Sequence, residues 1–448
     1  MSQNLKTLEE LKISVIENID NKSSLSIDIA KTILENPEPG FREYKTSQIV
    51  KNEFEKIGLK YEADIALTGV KAKLSSGKPG PNIAVIGELD SLIVKGHKFA
   101  DSETLAAHAC GHHCQIAMML AIARCFSSAN ILGSLSGSII FIAVPAEEFI
   151  EIEFRNDLMK SGEIEFLGGK PEFVKLGALD DVDIAMMTHT DSKDSMGGEI
   201  GVAPTNNGML AKLISYVGLA AHAGGSPHTG INALNAATIG LSAIHAQRET
   251  FKEEDSIRVH PIITRGGLAV SSVPSDVRIE TFVRGSNIQA IVDASEKVDR
   301  ALKAGAFAVG ADVNIVTIPG YMPIATDINL EKIYIENAKR LVGSDNVVTM
   351  KHRGGSTDMG DLSQIMPVIH PYVGAASGIA HGPHYLIEDY ELGVVTGAKA
   401  MALTIAELMV SEGGKAQSVI DNHKKLMTKS QYLKFLRSNF KDEYFSYK

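Results

Sequence analysis

Cysteine and histidine stand two positions apart in HACGHH, residues 108 to 113, the densest group of soft and borderline metal donors in the chain. Cys110 and His112 can point from one tight turn whose middle residue, Gly111, has no side chain, a pattern that suits zinc, manganese or cobalt. Two adjacent carboxylates, Glu147 and Glu148, follow an apolar run and a proline. Like charges so close are unfavourable unless something positive lies beside them, and a metal ion supplies that. One of the pair can then ligate while the other takes a proton from water and returns it to a leaving amine. His189 in MTHTD and His381 in AHGPH also follow apolar runs, and Asp90 in GELD is placed to fix the tautomer of a ligand histidine. Each feature alone has an ordinary explanation: a buried cysteine at a helix start, an acidic loop that includes Glu151 and Glu153, a strand cap. Joint placement at strand ends tips the balance toward a metal site.

Other candidates lie farther along. GLAAHAGGSPHTGIN, residues 218 to 232, puts His222 in a glycine-rich loop where it can donate to an oxyanion, and Asn232 closes that loop as a substrate contact. Arg284 ends a strand-like run and can pair with a substrate carboxylate. RGGSTDMGDLS, residues 353 to 363, lacks the lysine and spacing of a phosphate cradle, so Ser356, Thr357 and Asp358 either shape a pocket or are structural.

These residues are delivered by short apolar runs ending in polar residues: Asn82 to Asp90, Ser138 to Pro145, Asp183 to Met187 and Pro367 to Ala376. Helical patterns over Ile116 to Phe126 and Leu392 to Met409 alternate with them, as in an open α/β sheet covered on both faces. Such sheets bind ligands beyond the carboxyl ends of their strands, so the candidates converge on one crevice. Residues 209 to 320 read differently, in the order βαββαβ: Leu210 to Val217, Ile231 to Glu249, Ser256 to Arg265, Asp276 to Arg284, Ile288 to Val309 and Val313 to Ile318. The expected division is a discontinuous catalytic domain of residues 1–204 and 323–448 around an inserted domain of residues 205–322. The tail beyond Gly414 is expected to be a helix packed on the outside or on a partner.

With 448 residues the chain exceeds one ordinary core, and 44% hydrophobic and 22% charged residues place it among globular proteins. A formal net charge of −10 argues against nucleic acid as the main partner and favours a small ligand. The three cysteines, Cys110, Cys114 and Cys125, lie too close together to staple a fold. MSQNLKTLEELK has no apolar core behind its first lysine, and no apolar run approaches the roughly 20 residues of a membrane span, so a cytoplasmic protein with no membrane partner is expected.

HACGHH, the PAEE pair, THTD, GLAAHAG with PHTGIN, and AHGPH occur in the order found in the aminoacylase and aminobenzoyl-glutamate hydrolase group of metallopeptidases, which the chain resembles from about Pro39 to Met409. GSTDMGDLSQIMP is similar to the aminobenzoyl-glutamate hydrolase and dipeptidase branch. The resemblance implies a zinc-exopeptidase-like catalytic domain with an inserted ferredoxin-like dimerisation domain. It implies two divalent metal ions with Cys110 between them, shells completed by His112, Glu148, His189 and His381, and Glu147 as base. It also implies a homodimer in which His222 reaches the neighbouring subunit's site. Three departures stand out: His113, Cys114 and Gln115 where an acidic or amide residue and often a second histidine are usual, Glu88 in place of aspartate, and an insertion from Ile93 to Leu105. The expected reaction is hydrolysis of an amide between an acyl group and an amino acid, or within a dipeptide. Two alternatives compete with it. Cys110 as a nucleophile with a histidine base would leave the carboxylate pair and two other histidines without work. A non-catalytic metal- or peptide-binding protein is the other.

Overall fold

The computed structural model describes residues 6–203, 205–411 and 414–447. Its central sheet forms because runs such as Ser138–Val144, SIIFIAV, are apolar on both faces, so a strand made from them must be covered above and below. Six strands lie in the order Tyr61–Ile65, Gly69–Ser75, Ser138–Val144, Asn82–Glu88, Ile184–Met186, Val368–Ile369. The last four run parallel to one another, and Gly69–Ser75 pairs antiparallel with Ser138–Val144. On one face packs the His112–Phe126 helix, in which every residue is buried. Beside it lies Glu391–Met409, a π-helical turn followed by an α-helix. By length and composition this helix could cross a membrane, but 89% of its apolar window is buried inside the protein.

The run from Pro367 to Ala376, expected as one strand, is two. Val368–Ile369 ends the central sheet, while Tyr372–Ser377 belongs to a second sheet with His189–Ser192 and Ile200–Val202. Pro371 lies at the break, where its missing N–H cannot continue a ladder. The neighbouring run changes sheets at the same level: Ile184–Met186 is in the first and His189–Ser192 in the second, with His189 opposite Tyr372.

Residues 208–319 form their own antiparallel sheet in the βαββαβ order. Strand Gly208–Val217 sits between Asp276–Gly285 and Asp312–Pro319, and helices Ala233–Ala246 and Ile288–Val309 cover one face. Burial alternates strictly along Asp276–Gly285, the period expected when one face is packed. The expected Ser256 to Arg265 strand is divided into Arg258–Val259 and Ile262–Arg265 by His260 and Pro261, again at a proline. The tail goes beyond the expected external helix. After the Lys429–Asn439 helix, which buries Tyr432 and Leu436, the chain continues as strand Lys441–Phe445 and pairs with Asp312–Pro319.

That last strand covers the backbone edge of Asp312–Pro319, which would otherwise be free to recruit another chain. Deleting residues 441–448 is expected to increase self-association measured by light scattering after size exclusion. An unchanged mass across a concentration series would show that the edge needs no cover.

Candidate metal centre

The ends of two neighbouring central strands, the start of the His112–Phe126 helix and two strands of the second sheet bring the donors together. Gly111 makes this possible at the Cys110–His112 turn. Its φ of +86° is left-handed, and a Cβ there would stand 1.9 Å from Thr190 Oγ1. Glycine therefore lets the turn press against the His189–Ser192 strand while Cys110 and His112 face the same side. Cys110 Sγ lies 3.2 Å from His189 Nε2, and the backbone N–H of His381 donates to Ala109 O at 2.9 Å.

The turn carrying Glu147 and Glu148 is braced from behind. Ala146 has a φ of +56°, its N–H donates to Glu43 Oε1 at 2.8 Å, and Arg155 donates to the carbonyls of Ala146 and Leu167 at 3.1 and 2.8 Å. Asp90 ties the two halves together. His112 Nδ1 donates to its carbonyl at 2.9 Å and approaches Oδ1 at 3.2 Å, and Glu148 N donates to Oδ2 at 2.8 Å. Nδ1 being engaged by Asp90, Nε2 is the nitrogen that faces the centre; burial opposes a charge on this ring, but Glu88 and Cys110 outweigh it and hold His112 well above the usual imidazole range, so a bound cation would take the place of a proton there.

Donor atoms of Cys110, His112 and His189 lie within 4.8 Å of one another, and so do those of Cys110, Glu148 and His381. The two groups share the Cys110 sulfur, so they outline adjacent cation positions with a thiolate between them. The residues fit metal in a second respect. His112 Nε2 and Glu148 Oε1 are buried polar atoms with no hydrogen-bond partner, an unfavourable state that a cation removes. The local charge has the same sense. Burial, then Glu88 and Glu148, push the Glu147 carboxyl well above its usual range, and burial with Glu148 raises the Cys110 thiol well above its own. His189 is held near 4 by burial and by His112, as a neutral donor.

Cys110, Glu147, Glu148, His189 and His381 line a cavity of about 360 Å³ that also meets Tyr321, Arg284, Arg353 and Ser356. A larger cavity, about 480 Å³, lies apart from the donors between Met159, Ile318 and Phe440. Arg284 Nη1 donates to Ser356 Oγ at 2.8 Å, and among the described residues no carboxylate lies within ion-pair reach of this guanidinium. Arg353 differs, being paired with Asp191 and stacked 4.3 Å from the Tyr372 ring centre.

Two expected site residues lie elsewhere within this chain. His222 is exposed, its Nδ1 accepting from the backbone N–H groups of Gly224 and Gly225 at 3.2 and 2.9 Å, and it does not line the cavity. Asn232 caps the Ala233–Ala246 helix, accepting from Leu234 N and Asn235 N. Its side chain is engaged by that helix end, which removes it from substrate contact in its own subunit. Sequence reasoning did not find Lys170, Tyr321 or Arg353. Lys170, in LGGKPEF, is buried against Glu88 and Asp358, and no periodicity or motif marks it. The Ile93 to Leu105 insertion forms part of a short hairpin, Leu92–Ile93 against Ala106–Ala107, and Leu92 reaches the cavity wall.

Comparison with known proteins gives a consistent picture. Residues 85–407 match the model of Peptidase family M20/M25/M40. The Xaa-Arg dipeptidase of Homo sapiens is 24% identical over 436 residues, covering 90% of this chain and 89% of its own. IAA-amino acid hydrolase ILR1-like 6 of Arabidopsis thaliana is 26% identical over 391 residues, covering 82% and 76%. A solved structure of the Bacillus subtilis YXEP protein, described as a dinuclear metal binding peptidase, superimposes with a TM-score of 0.63 at 21% identity, covering 86% of this chain and 98% of that one.

Gly111→Ala should introduce strain of about 1–3 kcal/mol from the left-handed backbone alone, before the clash with Thr190 is counted. Chelator-competition titration is expected to show the variant losing metal affinity while far-UV circular dichroism stays that of the parent. Retained affinity would mean that the turn has another way to present Cys110 and His112.

Proposed function

The chain belongs to Peptidase family M20/M25/M40 and is a metal-dependent hydrolase, and from that premise we propose that it cleaves the amide bond of an N-acyl amino acid or a dipeptide. The observation that carries this reading is the pair of donor groups sharing Cys110. Two divalent ions of the zinc, manganese or cobalt kind fit there, with His112 and His189 on one side and Glu148 and His381 on the other. When bound, such ions polarise a carbonyl and lower the pKa of water.

The chain's own residues supply the rest. Glu147 has a raised proton affinity from burial and its carboxylate neighbours, which suits a group that accepts a proton from water and passes it to the leaving nitrogen. Arg284 is half-buried at the cavity with no acidic partner among the described residues, and a substrate carboxylate would pair with it, the guanidinium being held by Ser356. That places the free carboxylate of the amino-acid portion near the inserted sheet. The relatives' substrates are of the same kind, a dipeptide in one and an amino-acid conjugate in the other. A cysteine nucleophile is disfavoured, because it would leave the Glu147–Glu148 pair and two of the three clustered histidines without a role.

Homodimerisation through residues 205–322, with residues 1–204 and 323–448 as the catalytic part, belongs to this reading. His222 would then donate to the substrate carbonyl in the neighbouring subunit. Exposed apolar side chains lie on the same inserted unit: Ile262 is 59% exposed, Leu268 86% and Val270 101%. The Ile262–Arg265 strand lies along one edge of the inserted sheet, whereas Lys441–Phe445 closes the opposite one. A patch of this kind is ordinarily covered in a working assembly.

Glu147→Gln is expected to lower turnover of an N-acyl amino acid or dipeptide by about 10²–10⁴-fold with metal content unchanged, since the amide cannot accept the proton. Glu148→Ala is expected to lose metal as well. Equal metal loss in both variants would contradict this division of roles. His222→Ala and Glu147→Gln, each inactive alone, should recover part of the parental activity when subunits are exchanged between them. Mixed dimers with no recovery would remove His222 from the neighbour's site.

A further inference from the structure

Between the metal centre and Arg284 the cavity wall is apolar. Strand Asp276–Gly285 sends Phe282 and Arg284 to the same face of the inserted sheet, and Met209 stands opposite Arg284 in the register. The Arg284 guanidinium lies 5.1 Å from the centre of the Phe282 ring. Phe149, the residue after Glu148, meets Phe282 edge-on with ring centres 5.9 Å apart and meets Tyr321 in the same way at 5.2 Å. These side chains all line the cavity and belong to one packed cluster. Phe282 is the most open of them, half-buried where Phe149, Met209 and Tyr321 are buried. The Tyr321 hydroxyl is engaged by the Glu147 carbonyl, so its ring is what faces a ligand.

That wall lies where one particular part of the substrate must go. In an N-acyl amino acid or a dipeptide, the α-carbon of the amino-acid portion is bonded both to the scissile amide nitrogen and to the carboxylate carbon. With the amide at the metal centre and the carboxylate on Arg284, the side chain on that carbon starts between Glu148 and Arg284, where Phe149 and Phe282 stand. The charges of the cavity are already committed. Its acidic lining residues are Glu147 and Glu148, at the metal centre, and Asp191, which is paired with Arg353 and accepts from Ser192 N at 2.7 Å. Among the described residues a basic side chain would find no free carboxylate there, and an acidic one no second free guanidinium. Burying either charge unpaired is unfavourable. An aromatic or branched aliphatic side chain instead removes apolar area from water on both partners, and an aromatic one also meets the rings edge-on.

We propose that Phe282, with Phe149 and Met209, forms the subsite for the side chain of the amino-acid portion, and that this subsite selects aromatic and branched aliphatic residues over basic and acidic ones. This rests on the amide-hydrolase reading above and on the pairing of the substrate carboxylate with Arg284. The acyl group leaves the scissile carbonyl on its other side, away from this wall.

The test uses the full, metal-loaded chain and two series of substrates. In the first, an acetyl group is joined to phenylalanine, leucine, glycine, arginine or glutamate; in the second, phenylalanine carries an acetyl, benzoyl or alanyl group. For the parent chain, kcat/KM for the phenylalanine and leucine conjugates is expected to exceed that for arginine and glutamate by about tenfold or more. Phe282→Ala is expected to lower the phenylalanine-to-glycine ratio of kcat/KM by about tenfold, while the ranking of acyl groups stays that of the parent. A parent chain that prefers arginine or glutamate would overturn the subsite and leave the amide-hydrolase reading standing. So would a Phe282→Ala chain that loses all substrates in equal proportion, or one that changes the acyl ranking and keeps the phenylalanine-to-glycine ratio. A metal-loaded parent that hydrolyses no member of either series would overturn the amide-hydrolase reading itself. Should Phe282→Ala fail to fold, Phe282→Leu decides by the same ratio, with a smaller fall expected.

Discussion

Holding carboxylates next to one another out of water is the constraint around which the rest of the molecule is arranged. Glu88, Asp90, Glu147 and Glu148 are all buried, at the ends of two adjacent strands. Left alone, such a group repels itself and loses hydration. Positive and hydrogen-bonding partners answer it from every side: Lys170 at Glu88, His112 at Asp90, and Arg155 on the carbonyls of the Glu147–Glu148 turn. What these partners leave unsatisfied, His112 Nε2 and Glu148 Oε1, faces the centre. The same arrangement gives Glu147 its raised proton affinity, so the electrostatics that complicate folding are what the chemistry uses.

The backbone makes this possible by changing sheets. Two neighbouring runs leave the central sheet and enter the second one together, near Thr188 and Pro371, and His189 sits at the transfer. The inserted sheet closes the cavity from the other side. Tyr321, just beyond its Asp312–Pro319 strand, donates to the Glu147 carbonyl and packs edge-on against Phe149 with ring centres 5.2 Å apart. Arg284 enters from the same sheet to meet Ser356. Lys441–Phe445 then fastens the tail to that sheet, so the inserted unit is joined to the remainder by its two connections and by this strand.

Much of this was legible in the residues. The runs ending at Glu88, at Glu147 and before His189 are strands because apolar residues too short for a helix and bounded by polar ones have few other ways to be buried. The βαββαβ order was readable because alternating and 3.6-residue periods differ within a few residues. HACGHH and the glutamate pair stood out because metal donors at short spacing are rare without a purpose. Chain breaks at prolines were less legible: Pro261 and Pro371 each divide a run that hydropathy alone presents as continuous.

By itself the sequence determined which side chains could bind metal, at which strand ends they would stand, and that a second unit with its own core interrupts the first, since composition, spacing and period are local properties of the chain. Tertiary structure alone decided that Lys170 lies between Glu88 and Asp358, that Arg284 has no acidic partner among the described residues, that His222 and Asn232 stay away from their own cavity, and that residues 441–445 of the tail form a strand. Those are relations between residues from about 80 to more than 180 positions apart, as with Lys170 and its two partners. No local pattern encodes them, because the burial and charge that give them meaning exist only once the separate segments are packed together.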